Sequence, residues 1–144
     1  MNKKGFTLIE LLVVIAIIGL LSTLAVVALS SARQKARDSK RLSDLKQVQT
    51  ALELYYTDKN AYPVQVLPAN LGQTATKCLN GATGFTTTAC PNAYMGLVPT
   101  DPQTTKFYAY TSADGSTYSV TATLEGAVGA LGPGLVTASP SGIQ

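Results

Sequence analysis

The sequence predicts an α+β fold in which one long amino-terminal α-helix packs on a small antiparallel β-sheet. No proline lies between Phe6 and Tyr62, and the only glycine in that stretch is Gly19, so the stretch lacks the strongest helix breakers. After Pro63 the composition changes to glycine, threonine and serine with short alternating runs, which favours strands and turns. A length of 144 residues suits one domain of ordinary size.

The distribution of charge divides the chain into four zones. Residues 11–32 carry no charge, residues 33–59 hold seven bases and four acids, and residues 60–144 hold only five charged side chains. We therefore expect a leader at residues 1–5, an apolar helix at 6–30, an amphipathic continuation of that helix at 31–60, and a small globular β-rich domain with a glycine-rich tail at 61–144.

The apolar zone is long enough to cross a membrane. The residues from Leu11 to Leu29 span roughly 28 Å as a helix, close to the hydrocarbon thickness of a bilayer. A cleaved secretory signal is the alternative, and Lys3 and Lys4 fit its basic region. The apolar run is long for such a signal and Glu10 lies near its start, so the pattern favours a membrane-spanning helix.

The charged zone continues the helix with one apolar stripe. Its apolar positions step by three, three, four and three, as on one face of a helix: Leu42, Leu45, Val48, Leu52 and Tyr55. We expect the helix to end around Asp58–Asn60. The stripe is the surface on which the sheet is expected to pack.

A β-hairpin is predicted in the carboxyl-terminal part. Lys106–Thr111 and Thr117–Leu124 flank an Asp114-Gly115 turn, and the second run alternates apolar and polar residues. The tail Gly126–Gln144 has five glycines, two prolines and no charge. It is either loosely ordered or an added edge strand, and the sequence leaves both open.

Composition argues against an enzyme and against a bound cofactor. The chain has no histidine and two cysteines, which excludes histidine-based triads, HExxH zinc sites and four-cysteine metal sites. The net charge of +3 does not mark a nucleic-acid binder. We expect a structural protein, without catalytic residues.

The leader carries the most specific pattern. The string Lys4-Gly5-Phe6-Thr7-Leu8-Ile9-Glu10 before a long apolar helix resembles the type IV pilin family, which includes the pseudopilins of type II secretion. The resemblance covers about the first sixty residues and, more loosely, Leu97–Pro102 and the hairpin. It implies that a prepilin peptidase cuts between Gly5 and Phe6 and methylates the new amino terminus of Phe6, and that Glu10 takes part in subunit assembly.

The chemistry of Glu10 is consistent with that role. A carboxylate in a membrane segment is costly, and cleavage would create a positive amine at Phe6 that needs an anion once it is buried. Glu10 lies one helical turn from Phe6 and can pair within its own chain. The resemblance implies pairing with Phe6 of a neighbouring subunit. A glutamate that only reaches the lipid headgroups is the remaining alternative.

The two cysteines, Cys78 and Cys90, are expected to form a disulfide if the domain lies outside the cytoplasm. Such a bridge closes a short loop and contributes about 3 kcal/mol in the chain-entropy model. Two free thiols are the alternative.

The basic residues after the apolar segment conflict with the topology that the resemblance implies. Only Lys3 and Lys4 precede the segment, whereas six bases follow it, and the positive-inside rule would place the following part in the cytoplasm. Those six are Arg33, Lys35, Arg37, Lys40, Arg41 and Lys46. Arg33, Arg37, Lys40 and Arg41 also form a candidate stripe for nucleic-acid phosphates, although a solvated helix face near headgroups explains them more simply.

Two further sets of side chains carry weaker signals. Asp101, Asp114 and Glu125 are weak candidates for a calcium loop, because their spacing is not that of a dense acidic loop. The seven tyrosines are expected in the core and at its rim: Tyr55, Tyr56, Tyr62, Tyr94, Tyr108, Tyr110 and Tyr118.

The predicted function is that of a pilin, which polymerises through its amino-terminal helix into a type IV pilus for attachment, motility or DNA uptake. The alternatives are a pseudopilin of type II secretion and a single-span membrane protein whose basic segment binds nucleic acid. Expected partners are further copies of the chain, prepilin peptidase, the assembly machinery and membrane lipids. The precursor is expected in the inner membrane and the filament at the cell surface.

Overall fold

The computed structural model describes residues 5–87 and 90–144, so Lys3 and Lys4 of the leader lie outside the described residues. The chain divides into two compact units, one ending at Lys35 and one comprising Ala36–Gln144. Helix α1 comprises Leu8–Lys59, so its first part belongs to the first unit and its second part to the second.

The end of α1 agrees with the prediction. Asn60 adopts a left-handed backbone with φ of 54°, and its N–H donates to the carbonyl of Tyr56 at 2.7 Å. A left-handed residue directly after the last turn is a common helix stop, and asparagine tolerates that conformation better than most residues.

The second unit contains two antiparallel sheets, where the sequence predicted one. The larger has five strands in the order β1-β5-β6-β7-β8, and the smaller has three in the order β3-β2-β4. The strands are β1 Gln65–Asn70, β2 Cys78–Asn80, β3 Gly84–Thr86, β4 Ala93–Met95, β5 Ala109–Ser112, β6 Ser119–Leu124, β7 Gly134–Ser139 and β8 Gly142–Ile143, with a 3₁₀ turn at Thr74–Thr76.

The predicted hairpin is confirmed as β5 and β6, which pair with Tyr110 opposite Val120. The tail is ordered, as the edge-strand alternative required: β7 pairs with β6 along its length, and β8 folds back on β7. The three-residue strands of the smaller sheet were not predicted, because runs that short show no measurable alternation.

One apolar core holds the second unit together. Leu45, Val48 and Leu52 of α1 are buried, and Leu42 and Tyr55 pack against them as partly buried neighbours, which confirms the predicted stripe. The sheets supply the other side of the core. Its further buried members include Tyr62, Leu71, Leu79, Val98, Tyr108, Tyr110, Tyr118, Val120, Ala122, Leu124, Val136 and Ala138.

Candidate functional site

The first unit exposes a continuous apolar surface. Every large hydrophobic side chain from Leu8 to Leu29 is exposed, from 47% at Val14 to 80% at Leu8. Among the described residues, α1 is the one helix that is long and apolar enough to cross a membrane. Burying an apolar surface of this size is strongly favourable.

Thr7 and Glu10 form a capping box at the start of α1. The N–H and the hydroxyl of Thr7 each donate to Oε2 of Glu10 at 2.8 Å. The N–H of Glu10 donates back to Oγ1 of Thr7 at 3.3 Å. This reciprocal arrangement satisfies amide groups that the first turn of a helix leaves unpaired.

Thr7 was not among the predicted site residues, although Thr-x-x-Glu before an apolar run is the signature of a capping box. The consequence is that the Glu10 carboxylate already has two donors from its own chain. Gly5 and Phe6 precede the helix, and both are exposed, Phe6 by 87%. The peptide bond proposed for cleavage therefore lies on accessible, non-helical chain.

In the second unit, Arg41 is completely buried in an ion-pair network. Its Nε and Nη2 donate to both oxygens of Asp101 at 2.8 Å. Its Nη1 donates to Asp38 and to Glu125, each at 2.7 Å. A guanidinium has five N–H donors in a fixed plane, and Arg41 uses that plane to join α1 to two distant segments of the chain.

Asp38 and Arg37 complete the network. The carboxylate of Asp38 accepts the backbone N–H groups of Glu125 at 3.0 Å and of Gly126 at 2.8 Å. Arg37 makes a second two-point contact with Glu125, at 2.8 Å from Nε and 2.6 Å from Nη2. The segment after β6 is thus held to α1 by side-chain and main-chain contacts.

The network shifts the acidity of its members. The hydrogen bonds from Arg37 and then from Arg41 lower the pKa of Glu125 to about 2. Burial alone would raise the pKa of Asp101, but the bonds and charge of Arg41 outweigh it and the pKa is lowered. Burial raises the pKa of Asp44, against the hydrogen bond at 2.8 Å that its carboxylate accepts from the Tyr108 hydroxyl.

The structure does not bring the three calcium candidates together. Asp101 and Glu125 both face Arg41, whereas Asp114 lies in the β5–β6 turn and accepts bonds from the N–H and hydroxyl of Ser116. In the described part of the chain, no group of three or more acidic or cysteine side chains is arranged to hold a metal ion.

The four nucleic-acid candidates do not form one exposed stripe. Arg41 is buried, and Arg37 is partly buried against Glu125, while Arg33 and Lys40 are exposed. Sequence periodicity alone could not distinguish them, because two of the three acids that pair with Arg41, Asp101 and Glu125, lie sixty or more positions away. Cys78 and Cys90 form a disulfide with their Cα atoms 6.4 Å apart.

The tyrosines occupy the positions that the sequence predicted. Tyr62, Tyr108, Tyr110 and Tyr118 are buried in the core. The others, Tyr55, Tyr56 and Tyr94, pack against it as partly buried residues.

Comparisons with known proteins agree on the amino-terminal region. The family model described as the prokaryotic N-terminal methylation motif matches residues 1–26. Type II secretion system core protein G of Pectobacterium carotovorum subsp. carotovorum is 43% identical over 62 residues, which are 43% of this chain and 40% of that protein. The core protein G of Aeromonas hydrophila is 43% identical over 62 residues, 43% of each chain.

A relative from a different system is equally similar. The type IV wide pilus major component PilA4 of Thermus thermophilus is 44% identical over 61 residues, 42% of this chain and 47% of that protein. In each of these comparisons the match spans less than half the length of the relative. No solved structure matches this chain.

Proposed function

Since this chain belongs, by its methylation motif and its relatives, to the family of type IV pilins and type II secretion pseudopilins, we propose that it is a structural subunit of a helical filament. The subunit is inserted in the inner membrane, processed between Gly5 and Phe6, and assembled through the apolar part of α1. The observation that carries the proposal is the exposure of every large hydrophobic side chain from Leu8 to Leu29.

The exposed surface suits two successive environments. In the membrane-held precursor, lipid covers it. In a filament, the helices of other copies cover the same surface, because apolar helices can associate through van der Waals packing of their side chains. One segment thus serves as anchor before assembly and as core afterwards.

Glu10 gives the assembled state its specificity. Its carboxylate lies four positions after Phe6, which becomes the amino terminus on cleavage. In a helical bundle that excludes water, an ammonium and a carboxylate from adjacent copies satisfy each other, and either one alone is costly. The capping box with Thr7 holds the carboxylate in place without consuming all of its acceptor sites.

We propose the type IV pilus as the filament in question, serving attachment, motility or DNA uptake. The second candidate is the pseudopilus of type II secretion, which the identity to core protein G favours. The two differ in where the filament is found: a pilus extends from the cell surface at native expression, whereas a pseudopilus does not project as a long surface fibre.

The experiment is electron cryo-microscopy of filaments sheared from cells that express the chain at native level, with the subunit identified by mass spectrometry. Long filaments built of this chain support the pilus. Filaments obtained only on overexpression, together with loss of protein secretion on deletion, support the pseudopilus. A chain that stays monomeric in the membrane under both conditions overturns the filament proposal.

The single-span nucleic-acid binder is tested by the side of the membrane on which the second unit lies. Protease added to intact spheroplasts digests an extracytoplasmic domain and spares a cytoplasmic one. Burial of Arg41 and the pairing of Arg37 leave two of the four candidate bases without free charge for phosphates, so this reading receives less support than the filament.

A further inference from the structure

The second unit contains an open cavity of about 460 Å³, with a mixed polar and apolar lining, at the carboxyl end of α1. Such a volume is in the range of small-molecule sites, about 300–1,000 Å³. Three segments form it: the last turn of α1, the turn between β2 and β3, and the chain around β4. The lining residues are Lys59, Asn80, Gly81, Ala82, Pro91, Asn92 and Tyr94.

The walls of the cavity are fixed to one another. Asn80 of β2 pairs with Ala93 of β4. The disulfide joins Cys78, the first residue of β2, to Cys90, which directly precedes the lining residue Pro91. The Tyr94 hydroxyl donates to Oδ2 of Asp58 at 2.6 Å, which joins the third segment. The cavity is therefore held open by covalent and hydrogen-bonded contacts.

Several polar groups that line the cavity are open to solvent and have no partner among the described residues: Lys59 and Asn92 are exposed, and Asn80 is partly buried. The Oδ1 atom of Asn80 accepts hydrogen bonds from the backbone N–H groups of Ala82 at 3.1 Å and Thr83 at 2.8 Å. These bonds orient the side-chain amide, and its NH₂ group has no partner among the described residues. Residues 5–87 and 90–144 provide no ion pair for Lys59 and no side-chain hydrogen bond for Asn92. The site thus presents amide donors and acceptors and one ammonium.

An aromatic surface and an open backbone complete the site. The ring of Tyr94 is held by Asp58 and by an edge contact with Tyr55, whose ring centroid lies 5.4 Å away. Gly81 lies next to Tyr94 and has no side chain. A Cβ atom at this position would lie 3.2 Å from the Tyr94 ring and 3.4 Å from Cε of Lys59. Glycine at this position therefore keeps the space between the ring and the lysine free.

From this arrangement we propose that the cavity binds an acidic saccharide, with the sugar ring against Tyr94, its hydroxyls on Asn80 and Asn92, and its carboxylate on Lys59. Amide side chains both donate and accept, as sugar hydroxyls do, and the flat apolar face of a ring suits a sugar's C–H groups. The Lys59 ammonium forms no ion pair with a described residue, so it favours a carboxylate over a neutral sugar.

A phosphate ligand is disfavoured by the position of the cavity. It lies at the carboxyl end of α1 and is lined by no arginine, whereas protein phosphate sites favour helix amino termini and arginine forks. The partial negative charge of that helix end also repels a more highly charged phosphate more strongly than a singly charged carboxylate. A singly charged carboxylate attached to a hydroxyl-rich ring matches one ammonium and two amides more closely. The inference goes beyond filament formation, since it concerns the second unit alone.

The test is a calorimetric titration of the full chain in detergent micelles with a glucuronate trisaccharide, a glucose trisaccharide and inorganic phosphate as probes. We expect saturable binding of the glucuronate probe, at least about tenfold weaker binding of the glucose probe, and no competition by phosphate. Equal affinity for the two sugars, competition by phosphate at the same concentration, or no saturable binding of the glucuronate probe overturns the proposal.

Three variants assign the site. Lys59→Gln is expected to weaken glucuronate binding about tenfold, and Gly81→Ala to weaken it without a change in charge. The matched control is Lys46→Gln, which removes an equally exposed lysine of α1 that does not line the cavity. Melting temperatures within the range of the wild type show that each variant is folded. Unchanged binding by both Lys59→Gln and Gly81→Ala places the saccharide elsewhere and overturns the assignment.

Discussion

Arg41 and Asp101 form a buried two-point ion pair, with both N–O distances at 2.8 Å, although sixty positions separate them in the chain. The side chains of both are inaccessible to solvent. Breaking one side of such a pair leaves an uncompensated charge in the interior, which costs more than the pair contributes. The ion pair therefore fixes how the segment before β5 lies on α1.

Loss of the guanidinium is predicted to destabilise the second unit. Arg41→Met leaves Asp38, Asp101 and Glu125 without their shared partner, and the expected loss in free energy of unfolding is about 3–5 kcal/mol. Urea unfolding of the full chain in detergent, followed by the near-ultraviolet circular dichroism of the core tyrosines, measures it. The control is Lys40→Gln, an exposed position of α1. A loss no larger than in the control would contradict the structural role of Arg41.

The same network predicts a dependence of stability on pH. The folded pKa of Glu125 is about 2, below the ordinary value of 4.5. A carboxyl with a depressed folded pKa contributes stability that is complete above its unfolded pKa and is lost as the pH falls toward the folded one. We therefore expect the free energy of unfolding to fall between pH 4.5 and about 2.

Glu125→Gln provides the comparison for that prediction. It should be less stable than the wild type near neutral pH, and its stability should fall less steeply with acid, because one of the carboxyls with a lowered pKa is gone. Asp101 and Asp114 keep their lowered pKa values and the pH dependence that comes from them. Urea unfolding at several pH values measures both slopes. Identical slopes in the variant and the wild type would show that Glu125 titrates normally in the folded protein.

Local pattern predicted most of the fold. The absence of helix breakers before Tyr62 and the stripe from Leu42 to Tyr55 predicted α1 and its buried face, and alternation predicted the β5–β6 hairpin. The three-residue strands of the smaller sheet and the ordered tail were beyond local pattern. The tail is ordered because Val136 and Ala138 are buried in the core, a contact that sequence spacing does not reveal.

The candidate site likewise combines contacts that local sequence reveals with contacts between distant residues. The contact between Thr7 and Glu10 is local, and its signature stands in the sequence. The contacts of Arg41 are not local: Asp101 and Glu125 were interpreted as weak calcium candidates and Arg41 as a phosphate contact, when they neutralise one another. Opposite charges far apart in a chain with few charges are the signal that would have indicated this pairing.

The disulfide is predicted to protect both thiols. In protein extracted without reductant, Cys78 and Cys90 should resist alkylation, and both should react after reduction. Mass spectrometry of peptides from alkylated protein reads this out. Full labelling of both cysteines without reductant would contradict the bridge and would support a cytoplasmic position of the second unit.

Processing is predicted at the amino terminus. The mature chain is expected to begin at Phe6 with one added methyl group, and intact-mass analysis of membrane-extracted protein identifies it. Gly5→Val should leave the precursor uncleaved by adding a side chain next to the bond. The control, Ser22→Ala, lies in the apolar segment and should be processed normally. A mature chain that begins near Ser31 would indicate an ordinary secretory signal.

Glu10 is expected to join copies of the chain in the filament, and the yield of filaments from Glu10→Ala measures this role. Removal of the carboxylate lowers the cost of the helix in lipid but leaves the Phe6 amine uncompensated in a filament core, at several kcal/mol. We predict folded monomer in the membrane, with wild-type tyrosine circular dichroism and few sheared filaments. Thr23→Ala, which removes a hydroxyl from the same apolar segment without a change in charge, should give normal filaments. A wild-type yield of filaments from Glu10→Ala would show that Glu10 does not join the copies.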